Sequence, residues 1–318
     1  MTLLYNDARF LRHETGSHPE RAERLRAIPA KLEETGLAAR CRRVEWEPIL
    51  QERLTRVHSG SYAAQVQAFA ESGGGYIEID TVVGPHSYDV ALTAAGSVCD
   101  AADRLVRGED QNALCLVRPP GHHALPDRPM GFCLFNNVAL AARSAVDELG
   151  LDRVLIVDWD VHHGNGTQAV FWEDPRVGFL SIHRWPFYPG SGRPDETGGG
   201  DGLGTTLNLP VEFGISRRDY LGLFGGALGQ FAQRIRPQLV FISAGFDSHR
   251  ADPIGGLGLQ TEDFLDLTKA VLDVADHHAG GKVVSVLEGG YNPAALAEAV
   301  ELHLGEMVRR GEAKHPGA

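Results

Sequence analysis

No stretch of this 318-residue chain approaches the roughly 20 consecutive apolar residues that a membrane-spanning helix needs. The start, Met1-Thr-Leu-Leu-Tyr-Asn-Asp7, also lacks the basic flank and apolar core of a signal peptide, so a cytoplasmic protein without membrane partners is expected. Cysteine is sparse: Cys41, Cys99, Cys115 and Cys133 are scattered without paired spacing, so neither a disulfide framework nor a cysteine zinc site is indicated. Positive charge is short as well. With 30 Lys and Arg against 42 Asp and Glu, the net charge is −12, which argues against a nucleic-acid surface because phosphates would be repelled. That charge suits either a cationic partner or simple solubility. Repeats, low-complexity tracts and linkers are absent too, so one domain over residues 1–318 is expected.

What is present is an alternation of short apolar runs and helical patterns. Strands are expected at Thr2–Tyr5, Ala113–Val117, Arg153–Val157, Val177–Ile182, Leu239–Asp247 and Val283–Leu287, each rich in β-branched or apolar residues. Helices are expected from Arg21 to Ile28 with Pro29 interrupting, from Glu52 to Phe69, Tyr88 to Val106, Val138 to Leu149, Ser216 to Ile235, Thr261 to His278 with Thr261 as cap, and from Pro293 onward. Gly96 inside the third of these signals close packing against a neighbour. Ile77–Val83 reads as a loop with strand character, and Arg184–Gly200 as a long aromatic and glycine-rich loop, a length that is usually functional. His13 and His18 fall in a polar loop and read as solvated. The sum is an α/β fold, a mostly parallel central sheet flanked by helices.

The most informative stretch is Asp158-Trp-Asp160-Val-His162-His163-Gly164-Asn165-Gly166, which follows a buried-strand run. In extended chain, alternate side chains share a face, so Asp158, Asp160 and His162 can converge. Asp and His are ordinary ligands for a divalent transition metal. The other reading is a polar strand end with a turn into the next helix. Three more expected strands end in unusual polar residues: His122-His123 after a stiff Pro119-Pro120-Gly121 turn, Asp247, and Tyr291 after Glu288-Gly289-Gly290. Parallel strands bring all four ends to one edge, where open α/β sheets carry their sites.

Arg118-Pro-Pro-Gly-His-His-Ala124, Asp158 to Gly166, Ser243-Ala-Gly-Phe-Asp247 and Leu287-Glu-Gly-Gly-Tyr-Asn292, in this order, resemble the zinc-dependent histone deacetylase superfamily, most of all its class II and bacterial acetylpolyamine-amidohydrolase branch. The resemblance spans residues from about 1 to 310. It implies the arginase/deacetylase fold and an amidohydrolase that removes acetyl or another short acyl group from an acylated amine such as acetyl-lysine.

Carried over residue by residue, the resemblance makes Asp160, His162 and Asp247 the zinc ligands, with Fe²⁺ admissible because this donor set does not select zinc by softness. His122 and His123 match the tandem histidines, and Asp158 matches the carboxylate that orients the first. Asn165 stands where class I members carry a second aspartate, which leaves a cationic His123 less stabilised. Tyr291 matches the tyrosine that polarises the scissile carbonyl. Gly131, Phe132, Tyr188, Ile254 and Gly289 match the substrate tunnel. Asp158, Ser181 and Ile182 match a structural potassium site, and Phe171 with Val177 part of a second. Arg24 resembles an arginine beside an inner acetate channel, or else carries plain helix-surface charge. Polyamine-specific eukaryotic members carry a gatekeeper glutamate where this chain has Ile254, so acyl-lysine is favoured over acetylpolyamine. A non-catalytic acyl-lysine binder is the contrasting class. It would tolerate loss of Tyr291 or a tandem histidine, and all three residues are present. Homo-oligomerisation is a family expectation.

Overall fold

The structure, a computed structural model, describes residues 1–314. In chain order the elements are β1 (Thr2–Tyr5), α1 (Glu23–Glu34), β2 (Cys41–Arg43), α2 (Gln51–Leu54), α3 (Gly60–Glu71), β3 (Gly75–Glu78), β4 (Thr81–Val83), α4 (Ser87–Val106), β5 (Asn112–Cys115) and α5 (Asn137–Asp147). They continue with β6 (Val154–Asp158), α6 (Asn165–Phe171), β7 (Val177–Arg184), β8 (Thr206–Val211), α7 (Arg217–Ile235), β9 (Leu239–Ala244), α8 (Thr261–His278), β10 (Val283–Leu287) and α9 (Pro293–Lys314). Eight strands form one sheet in the order β2-β1-β5-β10-β9-β6-β7-β8, and every pairing in it is parallel. Helices α1, α9, α8 and α7 pack in succession as one layer, and α4 packs with α5 as another. Both faces of the central strands are thereby covered. This is why Val-Leu-Ile-Val in β6 shows no polar alternation: all of β6 is buried.

Parallel register carries the site. Asp158 at the end of β6 pairs with Ser181 of β7 on one side and Ser243 of β9 on the other, so the polar tails of these strands leave the sheet together. Gly96 does mark close packing: a Cβ there would lie 2.2 Å from the Glu47 carbonyl oxygen.

Several expectations are corrected. The span from Glu52 to Phe69 is two helices, because Ser59 accepts a hydrogen bond from the Tyr62 amide and caps a new start. The first helix runs through Pro29 to Glu34; Leu25, Ile28 and Leu32 on it are buried, and the helix packs on α9. Residues 75–83 form the antiparallel hairpin β3–β4 rather than a loop. Thr261 is not the cap of α8; Gln260 and Asp263 form a reciprocal capping box one residue earlier. Strands β2 and β8 were not foreseen. Both are edge strands, β2 is only three residues long, and Pro210 inside β8 reads against a strand, though an edge tolerates it.

Candidate active site

The carboxyl edge of the sheet gathers the polar strand ends into one buried cluster. Asp160, His162 and Asp247 are all buried, and their donor atoms lie within 4.8 Å of one another. His162 Nδ1 lies 3.0 Å from Asp160 Oδ1 and 3.1 Å from Asp247 Oδ2. Each carboxylate is aimed by the backbone. Asp160 Oδ2 accepts the Gly289 amide at 2.8 Å, and Asp247 Oδ1 accepts the Val161 amide at 2.9 Å. That leaves Asp247 Oδ2 buried with no donor but the His162 imidazole in reach, a position that a cation would satisfy. Burial and the neighbouring Asp160 push the Asp247 carboxyl up to about 7, so Asp247 ionises readily only with added positive charge nearby, whereas His122 and His162 outweigh burial at Asp160 and hold its carboxyl well below the ordinary value. An Asp–His–Asp set with pinned second oxygens fits a divalent transition metal.

Asp158 does not join that set. Its Oδ2 lies 3.0 Å from His122 Nδ1 and its Oδ1 accepts the Asp160 amide at 3.0 Å. The extended-chain alternation therefore separates into an orienting carboxylate and two ligands. Burial alone would lower the His122 pKa, but Asp160 and Asp158 outweigh it and push it up to about 10, so this imidazole is cationic. His123 goes the other way: burial, then the charges of His122 and His162, hold it well below the ordinary histidine value. Its Nδ1–H donates to Asn165 Oδ1 at 2.6 Å, so Nε2 is the free acceptor. The two rings, one favoured cationic and the other neutral, lie with centroids 4.0 Å apart.

Tyr291 faces this pair from the β10 end. Burial raises its hydroxyl pKa well above the ordinary value, with Arg24 opposing, so it remains a donor. Its amide donates to Asp252 Oδ2 at 2.6 Å, and the Arg24 guanidinium sits 4.9 Å from its ring centroid. Arg24 is thus fully buried and donates to the Gly290 carbonyl at 2.6 Å, which rules out the helix-surface reading. His13 is buried too, against the expectation of a solvated loop: it bonds Ser87 Oγ at 2.6 Å and lies 3.4 Å from Glu20, itself locked to Arg118 and Arg24. His18 stacks edge-on against Phe132, with centroids 4.4 Å apart.

A cavity of about 190 Å³ leads from the surface to His123, His162 and Tyr291. Gly131, Phe132, Tyr188 and Ile254 line it. Phe132 holds a left-handed backbone (φ 70°), fixed by its amide bond to Thr81 Oγ1 at 3.1 Å and the adjacent Gly131 amide bond to Asp80 Oδ1 at 3.2 Å. Gly289 lies not in the wall but beneath the carboxylates, where a Cβ would come 2.3 Å from Asp247 Oδ2. Ser181 Oγ lies 2.9 Å from His183 Nδ1, and Ile182 is buried beside it in β7. Two wall residues were missed. Asp80 sits at the hairpin turn between β3 and β4, and Phe187 stacks on the His162 ring at 5.2 Å and 15°. The Pro-flanked aromatic run around Phe187 was the available signal; Asp80 offered none.

The chain matches the histone deacetylase domain over residues 18–307. It is 39% identical to a histone deacetylase-like amidohydrolase of Pseudomonas aeruginosa over 87% of this chain and 73% of that protein. It is 38% identical to a probable deacetylase of Archaeoglobus fulgidus, over 89% of this chain and 79% of the relative. A solved HDA15 HD domain superposes with a TM-score of 0.92 at 37% identity, covering 97% of this chain and 89% of that one. No helix among the described residues is long and apolar enough to cross a membrane.

Proposed function

Because this chain belongs to the histone deacetylase family and is a deacetylase hydrolase, we propose that it removes acetyl or another short acyl group from an acylated amine of the acetyl-lysine type, with one zinc ion held by Asp160, His162 and Asp247. The observation that carries the reading is the convergence of His162 Nδ1, Asp160 Oδ1 and Asp247 Oδ2 at the foot of a narrow, mostly apolar cavity. Such a cavity suits an extended methylene chain. Fe²⁺ is the alternative metal.

A divalent ion bound there supplies Lewis acidity toward the acyl oxygen and lowers the pKa of a bound water. His123, neutral and with Nε2 free, takes the water's proton and returns one to the departing amine. Asn165 fixes the tautomer this requires. His122 stays protonated beside Asp158 and stabilises the negative charge that develops without moving the proton itself. The Tyr291 hydroxyl donates to the developing oxyanion. Ordered behind these groups, Asp158, Ser181 and Ile182 are assigned to a structural potassium ion, supported by the cross-strand pairing of Asp158 with Ser181.

The test is steady-state turnover, by metal-reconstituted protein, of an acetyl-lysine peptide and an N-acetylated polyamine. Preference for the peptide supports the reading, and preference for the polyamine redirects it to acetylpolyamine deacetylation. Turnover of neither by protein with bound metal contradicts it and favours the binder.

A further inference from the structure

Arg184, the last residue of β7, is a charged side chain that the site chemistry does not use. Its guanidinium lies 4.2 Å from the centroid of Phe187 and 4.6 Å from that of Phe213, so the cation is clasped between two rings. One of its amino groups donates to the Gly255 carbonyl at 3.1 Å. Among the described residues it meets no carboxylate. Phe213 is 67% exposed and still keeps its ring against the cation.

The two ends of this clasp belong to different walls of the same cavity. Phe187 comes from the loop after β7 and stacks on His162. Gly255 follows the wall residue Ile254, in the loop after β9 that wraps Asp247, where the Gly256 amide donates to the Asp247 carbonyl at 2.9 Å. The Arg184 amide donates to the Val161 carbonyl at 2.9 Å, which roots the side chain beside the ligands. We propose that Arg184, backed by Phe213, is a positioning residue that braces Phe187 against the Ile254–Gly255 segment and so sets the width of the acyl-amine tunnel. The assignment rests on the deacetylase reading above. Planarity is essential to it: a guanidinium stacks on two rings while donating in its plane, and an ammonium cannot.

The test compares Arg184→Leu, Arg184→Lys and Phe213→Ala with wild-type holoenzyme. Two readouts are used: the affinity of a straight-chain alkyl hydroxamate by calorimetry, and kinetics with acetyl- and bulkier acyl-lysine peptides. For Arg184→Leu the brace predicts probe binding weaker by about five- to thirtyfold, the range of a partly desolvated cation–π contact plus a hydrogen bond. It also predicts KM raised by a similar factor, kcat held within about threefold, and relative turnover shifted toward the bulkier acyl group. Arg184→Lys should recover only part of the loss, and Phe213→Ala should lose less than Arg184→Leu. Unchanged probe affinity and acyl preference in a folded, metal-loaded Arg184→Leu protein would overturn the brace, as would a pure loss of kcat. If wild type binds the probe but hydrolyses no acylated amine, the deacetylase reading fails and the affinity comparison still decides the brace.

Discussion

His123 Nδ1 lies 2.6 Å from Asn165 Oδ1, so this imidazole leans on a neutral amide. His122, one residue away, leans instead on the Asp158 carboxylate at 3.0 Å. Asp160 and Asp158 together favour the charged form of His122, while burial and the charges of His122 and His162 favour the neutral form of His123, which no carboxylate at Nδ1 opposes. Asn165→Asp would favour cationic His123, and the base form would then require higher pH. The acidic limb of the kcat/KM profile should move upward by about one pH unit. An unmoved limb would show that Asn165 does not set the protonation of His123.

Tyr291→Phe removes one oxyanion donor and keeps the ring above Arg24. Turnover should fall by about 10²–10³, with KM much less affected. Pre-steady-state acetate release measures this directly, and a loss below about tenfold would remove the hydroxyl from the mechanism.

Glu20 is buried and receives Arg118 at 2.7 Å and Arg24 at 3.1 Å. Burial would raise its carboxyl pKa, but Arg118 and His13 hold it well below the ordinary value. Glu20→Gln leaves two buried guanidinium groups short of a counter-charge and should cost about 3–5 kcal/mol in urea unfolding. A cost under about 1 kcal/mol would mean that the cluster relaxes to solvent.

Much of the candidate site was legible because its clustered polar groups sit in short contiguous motifs at strand ends: His122-His123, Asp158 to Asn165, Asp247 and Tyr291. Parallel pairing then brings those ends together whatever the loops do. What was not legible depends on contacts across the chain. Asp80 meets Gly131 from 51 residues away, out of a hairpin that the glycines before it disguised as loop. His13 and Glu20 read as loop polarity because their partner Arg118 lies about a hundred residues on. Arg184 carried no motif at all, since its role depends on two rings and a carbonyl from separate loops. The edge strands β2 and β8 failed for another reason: half-exposed edges need no apolar run, and Pro210 argues against one.

Two buried histidines outside the ligand set give the fold a pH dependence. Burial lowers His58 to about 4 and His303 to about 3, against 6.5 for the free group. The unfolded chain therefore binds more protons, and the stability these residues contribute is complete above pH 6.5 and is lost as pH falls toward 4. Each should cost about 1.4 kcal/mol per pH unit across that window. Urea midpoints between pH 7.5 and 5 test this, and His303→Gln should flatten the slope. An unchanged slope in that variant would contradict the assignment.

The most direct measurement is a zinc titration of metal-stripped protein, following acetate release from an acetyl-lysine peptide. Activity should be absent at the start, rise linearly and saturate at one ion per chain, with Asp160→Ala and Asp247→Ala inactive throughout. Saturation at two ions per chain, or turnover indifferent to metal, would contradict a single-metal deacetylase built on Asp160, His162 and Asp247.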